Sequence, residues 1–120
     1  MTPWSVIEKR LRAAAAADFV IAIYNPAAKN RREGIVKAMK IISAERSSKC
    51  PVVIAKNIGR KGEVINLTVL EEFNPNMVDM LTVILVGNKE TRLIDIGDGT
   101  RIYTPRGDGV IGENNRREKL

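Results

Sequence analysis

The sequence predicts an α/β domain in which helices flank a mixed β-sheet and a β-hairpin follows near the C-terminus. Three observations carry that expectation. Short apolar runs rich in β-branched residues occur at Phe19–Tyr24, Pro51–Ala55 and Met80–Val86, each of strand length and bounded by turn residues. Segments with apolar residues at helical spacing lie before the first run and between the first and the second. Near the C-terminus, Gly97-Asp98-Gly99 separates Arg92–Ile96 from Thr100–Tyr103, a good hairpin turn. Strands alternating with helices make an α/β domain.

Taken in order, Thr2-Pro3 reads as a helix start, with Thr as N-cap and Pro at the first helical position, where its missing N–H costs nothing. Trp4, Ile7 and Leu11 follow at helical spacing, the run Ala13–Ala17 has the highest helix propensity, and Asp18 ends the helix. Phe19–Tyr24 is the first strand, read as buried on both faces and stopped by Asn25-Pro26. A second helix is expected over Lys29–Ser47, with Ile35, Met39 and Ile41 or Ile42 on its inner face. Pro51–Ala55 is the second buried strand, and Asn57–Gly62, with two glycines in four positions, is a loop. Glu63–Leu67 reads as a short strand. Thr68-Val69-Leu70-Glu71 matches a capping box and predicts a short helix ending near Asn74-Pro75. Met80–Val86 is the third buried strand, closed by Gly87-Asn88. Residues 1–107 form one domain in this reading, and 108–120, polar and glycine-rich, a disordered tail.

Composition narrows the chemistry. A chain of 120 residues supports one core and is too short for two domains of ordinary size. The absence of His excludes a histidine general base, a Ser-His-Asp triad and imidazole-ligated zinc. A single cysteine, Cys50, cannot form an internal disulfide. No apolar stretch approaches the roughly 20 residues of a membrane span, and charged residues at 8–12 interrupt any signal-peptide core, so the expected location is the cytoplasm. Residues 1–60 hold 12 basic and 4 acidic side chains, whereas residues 61–120 hold 8 and 10. The basic half would attract an anion such as nucleic acid, phosphate or a polycarboxylate, or would serve as the solvated sides of two helices.

Three loops follow the C-terminal ends of the buried strands: Tyr24-Asn25-Pro26, Asn57-Ile58-Gly59-Arg60 and Gly87-Asn88. Ligands of open α/β sheets bind at that edge, where strand-end backbone groups and helix N-termini converge. No nucleotide-binding glycine fingerprint is present. Lys29, Arg31 and Arg32 gather cations at the positive end of a helix macrodipole, a placement that suggests an anion to bind. The few aromatics do not interleave with basic residues, so single-stranded nucleic-acid binding is a poor second choice. Glu71 and Glu72 point to different faces of a helix and do not form a catalytic pair, and Cys50 reads as an inert thiol.

The chain resembles the C-terminal half of the precorrin-3B C(17)-methyltransferases, tetrapyrrole methylases of cobalamin biosynthesis. The resemblance rests on Thr2-Pro3-Trp4 with Val6-Ile7-Glu8 and Arg10-Leu11, and on Asp18 through Tyr24-Asn25-Pro26. It continues through Lys29 with Arg31 or Arg32, Asn57-Ile58-Gly59-Arg60-Lys61-Gly62-Glu63, Val86-Gly87-Asn88 and Thr104-Pro105-Arg106-Gly107. The sequence departs from that family in having Ile58 at a usually small position and Asp108 where an aromatic is usual. The family's N-terminal domain, with its glycine- and proline-rich loop, has no counterpart here.

What the resemblance implies is S-adenosylmethionine-dependent methylation of a precorrin ring carbon, with donor and tetrapyrrole held in a cleft between two domains, in an enzyme that is typically a homodimer. Tyr24 and Asn25 stand where this fold touches the cofactor, and Ile58 and Thr82 fall at the matching points of the second and third strands. Lys29, Arg31, Arg32 and Arg60 are the candidates for meeting the acetate and propionate groups of the tetrapyrrole by charge-assisted hydrogen bonds. Methyl transfer from a sulfonium needs alignment and desolvation more than proton shuttling, so the lack of His is no obstacle. The other function classes in view are a dimerisation module derived from the same fold and a basic nucleic-acid-binding domain.

Overall fold

The computed structural model describes residues 3–24, 32–95, 97 and 99–105. The expectations for Thr2, Asn25, Lys29, Arg31 and the tail at 108–120 lie outside them, as does the side chain of Arg32. The described chain forms two units, one up to Lys89 and one from Glu90 onward.

In the first unit α1 spans Trp4–Ala16, β1 Ile21–Tyr24, α2 Arg32–Ser43, β2 Pro51–Lys56, β3 Val64–Val69 and β4 Thr82–Val86. Two short 3-10 turns, Leu70–Glu72 and Pro75–Met77, lie between β3 and β4. The strand order is β1-β4-β2-β3. The α/β class with flanking helices is as expected from sequence. β1 and β2 run the same way, as a strand-helix-strand succession demands, but β4 inserts between them antiparallel to both. Every hydrogen-bonded pair of the sheet is therefore antiparallel, where a mixed sheet was expected. The second unit is the expected hairpin, β5 (Arg92–Asp95) against β6 (Thr100–Tyr103), with Gly97 and Gly99 at positive φ in the turn and the Thr91 and Thr104 hydroxyls hydrogen-bonded at 2.6 Å.

Helix α1 begins one residue later than expected, with Pro3 as the extended cap residue. It ends as the sequence suggests: Asp18 adopts φ 65°, and the Phe19 N–H reaches back to Ala14 O at 3.0 Å. That is the 6→1 bond of a Schellman motif, with Asp at the left-handed position. Trp4 lies beside Gly34 of α2, donates from Nε1 to Glu8 at 3.0 Å, and has Lys37 over its ring.

One face of the sheet meets the helices. Ile21, Val86 and Val52 align across it, as do Ile23, Ile84 and Ile54, and these pack with Ala15 of α1 and with Ile35, Met39 and Ile42 of α2. Burying each large aliphatic there is worth about 1.5–3 kcal/mol. The opposite face carries Ala22, Leu85, Val53 and Leu67 in one row and Tyr24, Val83, Ala55 and Ile65 in the next. β1 is thus not buried on both faces. It is a sheet edge whose alternate residues are exposed, and only β2, the second strand in sequence, is enclosed along nearly its whole length. Likewise Met80 and Leu81 lie outside the third strand of the sequence reading and are exposed. The capping box does not form: Thr68 lies within β3, and the following turn has no side-chain cap. Hairpin pairing with β2 claims Thr68 before a helix can start.

Candidate functional site

Strand direction decides which loops meet. β1 and β2 end at the same sheet edge, and β4, running oppositely, begins there: Tyr24 lies across from Val83 and Lys56 from Thr82. The Asn57 N–H donates to Leu81 O at 3.0 Å and carries the pairing one step beyond β2. Tyr24, the loop bearing Ile58 and Arg60, and the Thr82 backbone therefore share one edge. Gly87-Asn88 does not. Val86 pairs with Ile21 and Val52, at the starts of β1 and β2, so this loop stands at the opposite edge, contrary to the expectation from sequence. The cause is the antiparallel insertion of β4.

The loop over residues 57–63 is held by its own atoms. Asn57 takes φ 54°, Gly59 73° and Gly62 84°, conformations costly to residues other than Gly and Asn. Asn57 Nδ2 donates to Gly62 O at 3.2 Å, the Arg60 N–H to Asn57 O at 2.9 Å, and the Gly59 N–H to Glu63 Oε1 at 2.8 Å. The Asn, Gly and Glu positions of the Asn-Ile-Gly-Arg-Lys-Gly-Glu segment thus shape the turn. Ile58 is left half-exposed at its tip, with Arg60 and Lys61 as exposed cations.

At the start of β4 the polar groups satisfy one another. The buried Thr82 hydroxyl donates to Asp79 Oδ1 at 2.8 Å and accepts from the Asp79 N–H at 2.9 Å, while the Leu81 N–H donates to the same carboxylate oxygen at 2.9 Å. The hydroxyl hydrogen bond, then the amide, hold the Asp79 carboxyl below its ordinary range. Thr82 is 1% exposed, backbone included, so this position bears on a ligand only through the strand start that it anchors. Asp79, the partner that fixes that start, was not singled out from sequence, although an Asp three residues before a strand Thr is a local turn signal. Tyr24, Ile58, Met80 and Leu81 line the edge as exposed apolar side chains. Among the described residues no cluster of His, Cys, Asp or Glu could hold a metal ion.

The opposite edge is closed by a residue that sequence reading missed. Arg46 is 7% exposed. One guanidinium nitrogen donates to Gly87 O at 2.5 Å, and the other to Phe19 O at 2.8 Å and Ala15 O at 3.3 Å. Nε lies 3.7 Å from Asp18 Oδ1, without a hydrogen bond, and Asp18 Oδ1 accepts from the Lys89 N–H at 3.0 Å. Arg46 thereby joins the end of α1, the approach to β1 and the exit of β4, and α2 stops at Ser43, short of the expected Ser47, as the chain turns to deliver it. Cys50 is buried beside it, Sγ 3.2 Å from Gly87 O. Burial pushes this thiol up, with Arg46 opposing, so the reactive thiolate is scarce at neutral pH.

No family model matches the chain. It is 44% identical over 107 residues to the probable cobalt-factor III C(17)-methyltransferase of Salmonella typhimurium, an alignment covering 89% of this chain and 43% of that protein. It is 40% identical to the cobalamin biosynthesis protein CbiHC of Archaeoglobus fulgidus, over 100% of this chain and 26% of that one. Among solved structures, the methyltransferase CobJ superposes with a TM-score of 0.77 at 36% identity, covering 87% of this chain and 42% of its own. The chain spans less than half the length of these relatives. By sequence and by fold, it is a relative of the C(17)-methyltransferases of cobalamin biosynthesis and corresponds to their C-terminal domain.

Proposed function

We propose that this chain supplies one wall of the active site of an S-adenosylmethionine-dependent methyltransferase that methylates C-17 of a precorrin or cobalt-precorrin, with ring contraction. The observation that supports it is the convergence of Tyr24, the Asn57–Gly62 loop and the Thr82 strand start on one sheet edge, in a chain whose relatives are named for that reaction. S-adenosylmethionine supplies an electrophilic methyl on sulfur. The wall's task is to hold that sulfonium in line with the ring carbon and to keep water out. Exposed Tyr24, Ile58 and Leu81 offer apolar surface to the adenosyl part. Asn25 and the backbone near Ile58 offer polar groups, on a strand start that Thr82 anchors. Arg60, with Lys29, Arg31 and Arg32 at the start of α2, meets the carboxylates edging the tetrapyrrole.

In this reading a second, N-terminal domain supplies the facing wall, the working enzyme is a cytoplasmic homodimer, and this chain alone does not turn over, because effective concentration depends on both walls. The test is titration of isotope-labelled chain with S-adenosylmethionine up to millimolar concentration, followed by amide chemical shifts. The expected result is weak binding, with shifts confined to Tyr24–Asn25, Asn57–Arg60 and Leu81–Thr82. Shifts at Gly87-Asn88 instead, no shifts at all, or precorrin turnover by this chain alone would each overturn the corresponding part.

A further inference from the structure

Met80 and Leu81 are 61% and 48% exposed, two adjacent apolar side chains in water just before β4. The main chain of Leu81 is nevertheless held from both sides. Its N–H donates to Asp79 Oδ1 at 2.9 Å, and its C=O accepts from the Asn57 N–H at 3.0 Å. Fixing a backbone costs conformational entropy, and an exposed apolar side chain offsets none of it by burial. A side chain held this way does suit contact with a ligand, because little freedom is left to lose on binding.

The bonds that shape this turn converge on Asp79. Its C=O accepts from the Thr82 N–H at 3.3 Å, and its N–H donates to Thr82 Oγ1 at 2.9 Å. Its carboxylate oxygen Oδ1 takes both the Thr82 hydroxyl, at 2.8 Å, and the Leu81 N–H. Lys56, paired across from Thr82 in the sheet, adds a smaller favourable charge. A line of hydrogen bonds therefore runs from the Asp79 carboxylate through the Leu81 main chain to Asn57. Asn57 opens the loop that carries Ile58 and Arg60, and its own side chain closes that loop on Gly62. One carboxylate thus sets the place of Leu81 and ties it to the root of the neighbouring loop.

We propose that Asp79 is a positioning residue for the methyl donor: by fixing Leu81 against Asn57 it presets the apolar surface that meets the adenosyl part. This role rests on the donor-binding reading of the Tyr24 edge. Asp79 acts through Leu81 and not by touching the donor, since Oδ1 is occupied by two donors from its own turn. What the position needs is an acceptor oxygen in that place, which an asparagine also supplies.

The experiment follows S-adenosylmethionine binding to the chain by NMR, with backbone amides and Leu methyl groups labelled. The variants are Asp79→Ala, Asp79→Asn, Leu81→Ala and Arg46→Lys. In wild type the Leu81 methyl signals are expected to move as the adenine ring approaches. Asp79→Ala removes the acceptor of the Leu81 N–H, and should weaken binding about fivefold or more and speed Leu81 amide exchange roughly tenfold. Asp79→Asn should stay within about twofold of wild-type affinity. Leu81→Ala leaves the turn bonds in place and should weaken binding as much as Asp79→Ala. Arg46→Lys lowers stability from the opposite edge and should bind as wild type does, which separates lost position from lost stability. Wild-type affinity in Asp79→Ala or in Leu81→Ala overturns the proposal and leaves the donor site standing. Equal losses in Asp79→Asn and Asp79→Ala also overturn it, because the charge itself then meets the donor. Movement at Tyr24 and Ile58 with Leu81 still overturns the proposal alone. Stillness at all three overturns the donor site and the proposal together.

Discussion

The two edges of the four-stranded sheet use the same residue types for opposite ends. At the Gly87 edge a single arginine, Arg46, is buried and directs its donors to backbone carbonyls of α1, of the approach to β1 and of the exit from β4. At the Tyr24 edge Arg60 and Lys61 sit on an exposed loop whose backbone is already satisfied by Asn57 and Glu63. The role of a cation follows from whether the surrounding backbone leaves acceptors that only it can reach. Where it does, the arginine is a structural tie. Where the loop closes on itself, the cation is left exposed. The same contrast holds for hydroxyl and thiol: Thr82 and Cys50 are both buried with their partners inside the fold, so neither offers its side chain to chemistry.

Removing the tie is the largest expected effect. Arg46→Met removes the guanidinium donors of three carbonyls, each hydrogen bond to a charged group being worth about 1.5–3 kcal/mol. Urea unfolding should show that loss, with Arg46→Lys intermediate because an ammonium cannot span the same acceptors. A midpoint equal to wild type would erase the distinction between the two edges. The opposite manipulation tests the cations that the proposed function assigns to the tetrapyrrole. In an enzyme that contains this domain and its N-terminal partner, changing Lys29, Arg31 and Arg32 to Gln should raise the KM for the tetrapyrrole, each desolvated charged hydrogen bond being worth about 1.5–3 kcal/mol. Affinity for S-adenosylmethionine and the melting point should stay put. A lowered melting point with an unchanged KM would make these residues structural as well.

The smallest effect sharpens the comparison at a single turn. Thr82→Val keeps the shape and removes the hydroxyl, at a cost of about 0.5–1.5 kcal/mol. The Thr82 hydroxyl is the main cause of the lowered Asp79 pKa. A carboxyl held low in the fold contributes stability that is present above its unfolded pKa and lost as pH falls through its folded pKa. The variant should therefore lose less stability than wild type between neutral and acid pH. Melts from pH 7 down to pH 3 measure this; parallel curves would mean that the hydroxyl does not set the carboxyl.

Much of this is legible in the sequence. The helices, the three apolar strands, the terminal hairpin and the end of α1 at Asp18 follow from periodicity and turn chemistry acting over a few residues. The loop at 57–62 stood out by its glycines, and the resemblance to the methyltransferases by the order of its motifs. Arg46 was not legible, because nothing within a few positions of it differs from any exposed helix-end arginine; its acceptors lie 27, 31 and 41 residues away along the chain. Nor was the failure of the Thr68 capping box, since pairing with β2 outweighed a local preference worth about a kcal/mol.

The sequence by itself determined which segments are strands and which are helices, because apolar period and backbone propensity are local properties. It also determined that these 120 residues contribute no histidine and no internal disulfide. Only the tertiary structure decided that β4 lies between β1 and β2. That choice depends on pairing strands nearly 60 residues apart in the chain, where burial on the helix-facing side rewards the order β1-β4-β2-β3 and no local signal records it. From that one insertion follow the edge that Tyr24, Ile58 and Thr82 share, the removal of Gly87 to the other side, and the position of β3 at the sheet's open margin.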